Sequence, residues 1–160
     1  MSDRYIEIKQ EIDQKRRAEA AAKAAEEAER DRRARAAMEE TERRWQAIRT
    51  AASALMEKYN LHRNALEEDG FSLRVTEMRD DTSPRIEFAL MFADGSPTYR
   101  SVYVSHPYYE SYGISAVYRG KINPDDASAA MDELLVVAAE NTERSRQLLK
   151  EKREAKWRFW

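Results

Sequence analysis

A chain of 160 residues, 36% of them charged but with a formal net charge of only −2, has neither the global basic field that draws nucleic acid nor the acidity to imitate it. Zero cysteines exclude a disulfide framework and any thiolate metal site. The longest purely apolar run, residues 134–139, is far too short to span a bilayer, and the N-terminus lacks the charged-then-apolar plan of a secretory leader, so no membrane role and a cytoplasmic location are expected.

All four glycines and all four prolines fall between residues 70 and 124, which sets a compact middle between two long unpunctuated flanks. The first flank predicts a helix, or two in line, from residue 3 to about 60, because residues 16–44 are nearly all strong helix formers. Its C-terminal part carries an apolar stripe at spacings of three and four: Trp45, Ile48, Ala52, Leu55, Met56 and Tyr59. Upstream the stripe thins to Ala18, Ala21, Ala25 and Ala28, and Ile8 and Ile12 form a separate apolar pair near the start.

The period then changes to two. Residues 71–78 and 85–92 alternate as strands, Asp94-Gly95 supplies a tight hairpin, residues 98–105 form a third strand and residues 114–119 a weaker fourth. Between the first two, Asp80, Asp81, Ser83 and Pro84 read as a turn rather than an acid pair. Asn123 as N-cap, Pro124 at the first helical position and Asp125 and Asp126 in the first turn open a helix that nothing stops before the C-terminus. The expected fold is two-layer α+β: helix, four-stranded antiparallel meander, helix. The sheet face bearing Phe71, Leu73, Val75, Ile86, Phe88, Leu90 and Phe92 is covered by the stripes at 45–59 and 131–138.

Both helices overrun such a sheet, so an antiparallel coiled-coil-like stalk is expected, with the end of the first helix beside the start of the second. In that register Arg144 faces Glu39 and Glu40, Arg153 faces Asp31, and Trp157 and Trp160 land on Ala24, Ala25 and Ala28. The organisation that follows is an N-terminal helical arm at 1–43, an α+β head at 44–143 and a stalk continuation at 144–160.

Four surfaces are candidates for function. Residues 105–113 crowd His106, Tyr108, Tyr109 and Tyr112 into one loop, and rigid amphipathic tyrosines are enriched where proteins bind proteins. Its alternative is a loop tied down by rings tucked against the sheet edge. Ile8 and Ile12 lie beyond the reach of the second helix, as a free helix, a segment that folds on binding, or a homodimer contact. Residues 144–160 hold seven Lys or Arg against two Glu, so Arg146, Lys150, Arg153, Lys156 and Arg158 with Trp157 could track a single-stranded nucleic acid. Helix-dipole complementarity and pairing with the first helix explain the same charges. A stacking platform of Tyr99 and Tyr103 with Arg74, Thr76, Met91 and Ser101 on the outer sheet face is a weaker option.

No nucleophile elbow or glycine-rich phosphate loop accompanies His62 and His106, the two histidines, so no catalytic residue, metal ligand or cofactor is assigned. The sequence supports a non-enzymatic protein–protein interaction module docking through the tyrosine loop and the N-terminal arm. Such a module acts as an adaptor or stoichiometric inhibitor of a larger complex, a build shared in shape with small phage and mobile-element proteins. The alternative is a nucleic-acid-binding accessory protein using the basic aromatic C-terminal helix.

Overall fold

The computed structural model describes residues 2–79, 84–105, 109–113, 118–122 and 126–158. In chain order they form helix α1 (Ser2–Glu68), strands β1 (Ser72–Met78), β2 (Arg85–Met91), β3 (Pro97–Ser105), β4 (Tyr109–Gly113) and β5 (Tyr118–Ile122), then helices α2 (Ala127–Glu140) and α3 (Thr142–Arg158). The chain divides into two units, Met1–Arg43 and Arg44–Trp160.

The first unit is helix throughout its described length. Alanine, glutamate and arginine favour that conformation, and ion pairs one turn apart support it: Arg4 with Glu7 at 3.2 Å, Arg33 with Glu29 at 3.1 Å, Arg43 with Glu40 at 3.5 Å, and Arg32 with Glu29. Each such pair contributes only ~0.2–0.5 kcal/mol.

In the second unit the five strands lie in sequence order, every neighbouring pair antiparallel. The expected stripe on α1 is buried at Trp45, Ile48, Ala52, Leu55 and Tyr59 and extends to Leu66. It meets Phe71, Ile86, Phe88, Leu90, Phe92, Val102 and Val104 from the sheet and Ala127, Ala130, Met131, Leu134 and Ala138 from α2. Val75, expected in the core, is half exposed because β1 is an edge strand. The hairpin forms as expected: Gly95 takes φ 84, and Asp94 accepts the backbone N–H of Ser96 at 3.0 Å.

A Schellman cap ends α1. Phe71 N–H reaches the Leu66 carbonyl and Gly70 N–H the Glu67 carbonyl, each at 2.9 Å, with Gly70 at φ 90 and the Leu66 and Phe71 side chains both buried. A Cβ on Gly70 would sit 3.1 Å from Leu149 Cβ and from Ser145 Oγ. Gly70→Ala is therefore expected to cost about 1–2 kcal/mol, through positive φ and crowding together, read as a lower denaturation midpoint.

Three expectations are corrected. The sheet has five strands rather than four, because part of the tyrosine loop is strand β4, laddered on β3 with Val104 opposite Tyr109 and Val102 opposite Ser111. The C-terminal helix is not continuous. It starts at Ala127 with Asp126 as N-cap, whose carboxylate accepts Ala129 N–H at 2.9 Å, and it breaks at Asn141. There the Asn141 amide donates to the Val137 carbonyl at 2.8 Å and the Thr142 hydroxyl to that of Ala138 at 2.9 Å, side-chain bonds that compete with a regular turn.

The stalk register is overturned by the strand count. Each antiparallel strand reverses the chain, so an odd number of strands sets α2 parallel to the 44–68 part of α1. The contacts agree. Arg79, at the end of β1, stacks on Trp45, and Tyr109 at the same sheet end bonds the Ala51 carbonyl. At the other end Arg146 pairs with Asp69 at 2.8 Å, beside Gly70. Helix α3 thus starts at the opposite end of the sheet from Trp45, and Trp157 is 80% exposed rather than seated on alanines. Asp80, Asp81, His106, Tyr108, Asn123, Pro124, Asp125 and Trp160 lie outside the described residues.

Candidate interaction surfaces

Tyr109 is not at a surface. Its ring is fully buried in the core, and its hydroxyl donates to the Ala51 carbonyl of α1 at 2.9 Å. As first residue of β4 it is turned toward α1, so Tyr109 is a core residue and not the docking contact expected of it. Tyr112 belongs to β4, paired with Ser101 across the ladder, while His106 and Tyr108 precede the strand outside the described residues.

Ile8 and Ile12 are exposed at 40% and 46%, and they are joined by Tyr5 at 68% and by Ile6. Residues 5, 8 and 12 stand at helical spacings of three and four and so share one side of the helix, with Ile6 adjoining. Sequence reasoning found the isoleucine pair but missed Tyr5, whose spacing of three from Ile8 was the available signal.

The basic helix makes a third surface. Arg146, Leu149, Lys150, Arg153, Glu154 and Trp157 of α3 line, with Glu68 of α1, an open cleft of about 400 Å³. Lys156 and Arg158 are exposed on the same helix, outside the cleft lining. The cleft is of mixed sign: Arg146 already holds Asp69, and Glu68 and Glu154 stand among the cations. Its cationic character is diluted, but its tryptophan is open to solvent.

The outer sheet face is not a free stacking platform. Arg74 pairs with Glu87 at 3.0 Å, and the Arg85 guanidinium lies 5.0 Å from the Tyr103 ring centre. Beneath them Ala89 and Glu87 are buried. Tyr99 donates its hydroxyl to Glu140 of α2.

Two displaced pKa values have structural causes. Burial pushes the Tyr59 phenol up, with Glu67 adding to the rise and Arg63 opposing it. Asp94 is held below the usual carboxylate range by the Ser96 hydroxyl and backbone N–H in the hairpin. Neither lines the cleft. Among the described residues, no group of three or more histidines, aspartates or glutamates is placed to hold a metal ion, and no helix is long and apolar enough to cross a membrane.

The chain matches no family model, no curated protein and no solved structure.

Proposed function

We propose that this is a non-enzymatic protein-interaction module in which the helix of the first unit docks on a protein partner through Tyr5, Ile6, Ile8 and Ile12. The observation that carries the reading is the exposure of four large apolar side chains within eight residues of a helix that, Met38 apart, is otherwise polar and alanine-rich up to Arg43. An amphipathic helix recognised in a groove presents anchors at such spacings. Tyr108 and Tyr112 remain candidates for an auxiliary contact, and the second unit serves as the folded anchor. A cytoplasmic adaptor or stoichiometric inhibitor of a larger complex fits this build.

A second reading is favoured by one observation. The exposed Trp157 stands beside Lys150 and Arg153, the pairing of ring and cation that holds single-stranded nucleic acid.

One capture experiment separates the two. The full chain and an Ile8→Asp/Ile12→Asp variant are each used as bait in lysate of the native host, with and without nuclease. The first reading expects a protein that survives nuclease treatment and is lost with the variant. Capture that vanishes with nuclease and persists with the variant overturns it in favour of α3.

A further inference from the structure

The helix of the first unit carries a second pattern, which, flanking residues included, shares only Ile8 with its isoleucine patch. Positions recurring at three and four, which share one face of the helix, run Arg4, Glu7, Glu11, Gln14, Ala18, Ala21, Ala25, Ala28, Arg32, Arg35, Glu39: four alanines flanked on both sides by polar and charged residues. Its signs are arranged about its middle: acid before the alanines, base after them, and the reverse at the two ends.

That order discriminates between partners. A parallel copy in register would set Glu11 on Glu11, Arg32 on Arg32 and Arg35 on Arg35, like charge on like at every charged layer. An antiparallel copy centred between Ala21 and Ala25 sets Ala21 on Ala25, Ala18 on Ala28, Gln14 on Arg32 and Glu11 on Arg35. The residues flanking the seam follow suit. Lys15 meets Glu29, which also holds Arg32 and Arg33 within its own helix, and Arg17 meets Asp31. Ile8 falls beside Ala36, large against small. One layer opposes like charges, Glu7 against Glu39. The central alanines add no specificity of their own, but they let two helix axes approach to ~8 Å, the close end of the usual range.

We propose that residues 4–39 pair with the same segment of a second copy of this chain, antiparallel, about a twofold axis near Ala22 and Lys23. The interface is isologous, so each charge contact occurs twice. Tyr5, Ile6 and Ile12 lie off the seam, and the pair therefore presents two partner-docking patches, one toward each end. This goes beyond the docking reading and does not depend on it.

The chain has no cysteine, so single cysteines report the geometry cleanly. Sedimentation equilibrium of the full chain at about 100 µM, a concentration that populates even a micromolar dimer, is expected to show a dimer. A mixture of the Ala21→Cys and Ala25→Cys chains is expected to cross-link on oxidation. Arg4→Cys alone is expected not to, because its two copies lie more than ~50 Å apart at 1.5 Å per residue. Lys15→Glu/Arg17→Glu is expected to weaken the dimer about tenfold, through four exposed pairs turned repulsive. Adding Glu29→Lys/Asp31→Lys to that same chain is expected to restore it. A monomer at this concentration, self-linking by Arg4→Cys, or failure of the fourfold charge swap to restore affinity each overturns the proposal. Ile12→Asp, outside the seam, tests docking alone: lost capture with an intact dimer separates the two ideas.

Discussion

Tyr109→Ala is expected to unfold the second unit rather than to disarm a docking loop. The ring is fully buried, and its removal leaves a cavity between β4, α1 and their neighbours. Truncating a buried aromatic to alanine costs about 3–5 kcal/mol, a large part of the whole stability of a domain this size. Tyr109→Phe keeps the ring and removes only the hydroxyl donated to Ala51. That carbonyl lies within the helix, where it also accepts a backbone N–H, so the loss should be about 1 kcal/mol. Urea denaturation of both variants gives the comparison. A Tyr109→Ala midpoint close to that of the parent would mean that the ring is not part of the core. The contrast with Tyr108, which lies outside the described residues, is informative: capture lost with Tyr108→Ala at unchanged stability assigns the loop a surface role independent of its neighbour.

The burial of this tyrosine marks the limit of what the letters carry. Strands β1, β2 and β3 are legible because large apolar residues recur at every second position over part of each, Leu73 and Val75, Ile86, Phe88 and Leu90, Val102 and Val104, and the hairpin between β2 and β3 because Asp94-Gly95 suits a tight turn with Gly95 at positive φ. Strand β4 has no such alternation. Along residues 109–113 Tyr, Glu, Ser, Tyr and Gly follow one another with no apolar period of two, and the pairing is a backbone ladder with β3. Missing that strand had a disproportionate consequence. With four strands α2 would run antiparallel to the 44–68 part of α1, and with five it runs parallel, so one further strand reverses the register on which the stalk expectation rests. The charge match expected for the stalk is linear opposition along a helix dense in both signs, which carries no information on which side each charge occupies. The break at Asn141 was similarly faint. Neither Gly nor Pro marks it, and the signal was an Asn-Thr pair able to bond back to the preceding carbonyls. The isoleucine patch was legible as an outlier in an alanine and charge background, whereas the α3 cleft was not, because Glu68 and α3 meet only through the parallel topology.

Glu133→Ala is expected to cost about 2–3 kcal/mol, more than an exposed ion pair is worth, because of what it leaves behind. Arg100 lies on the core-facing side of β3 with its side chain 8% exposed, and Glu133 of α2 reaches its Nη1 at 3.2 Å. The guanidinium Nε is buried with no hydrogen-bond partner, and the Glu133 carboxylate on Nη1 offsets part of the cost of a charge held away from water. Removing one partner of a fully buried pair costs about 3–5 kcal/mol, and the 37% exposure of Glu133 lets water soften that figure. Glu133→Gln keeps an acceptor but not the charge and should fall between. The decisive variant removes both ends. Arg100→Met/Glu133→Leu buries apolar atoms of similar length where a charge was held at a cost, and it is expected to recover most or all of the loss. A double-mutant cycle by urea denaturation measures this directly. If the double variant is as unstable as the sum of the singles, the pair is not coupled, and the packing of α2 on β3 rests on Val102, Val104, Met131 and Leu134 alone.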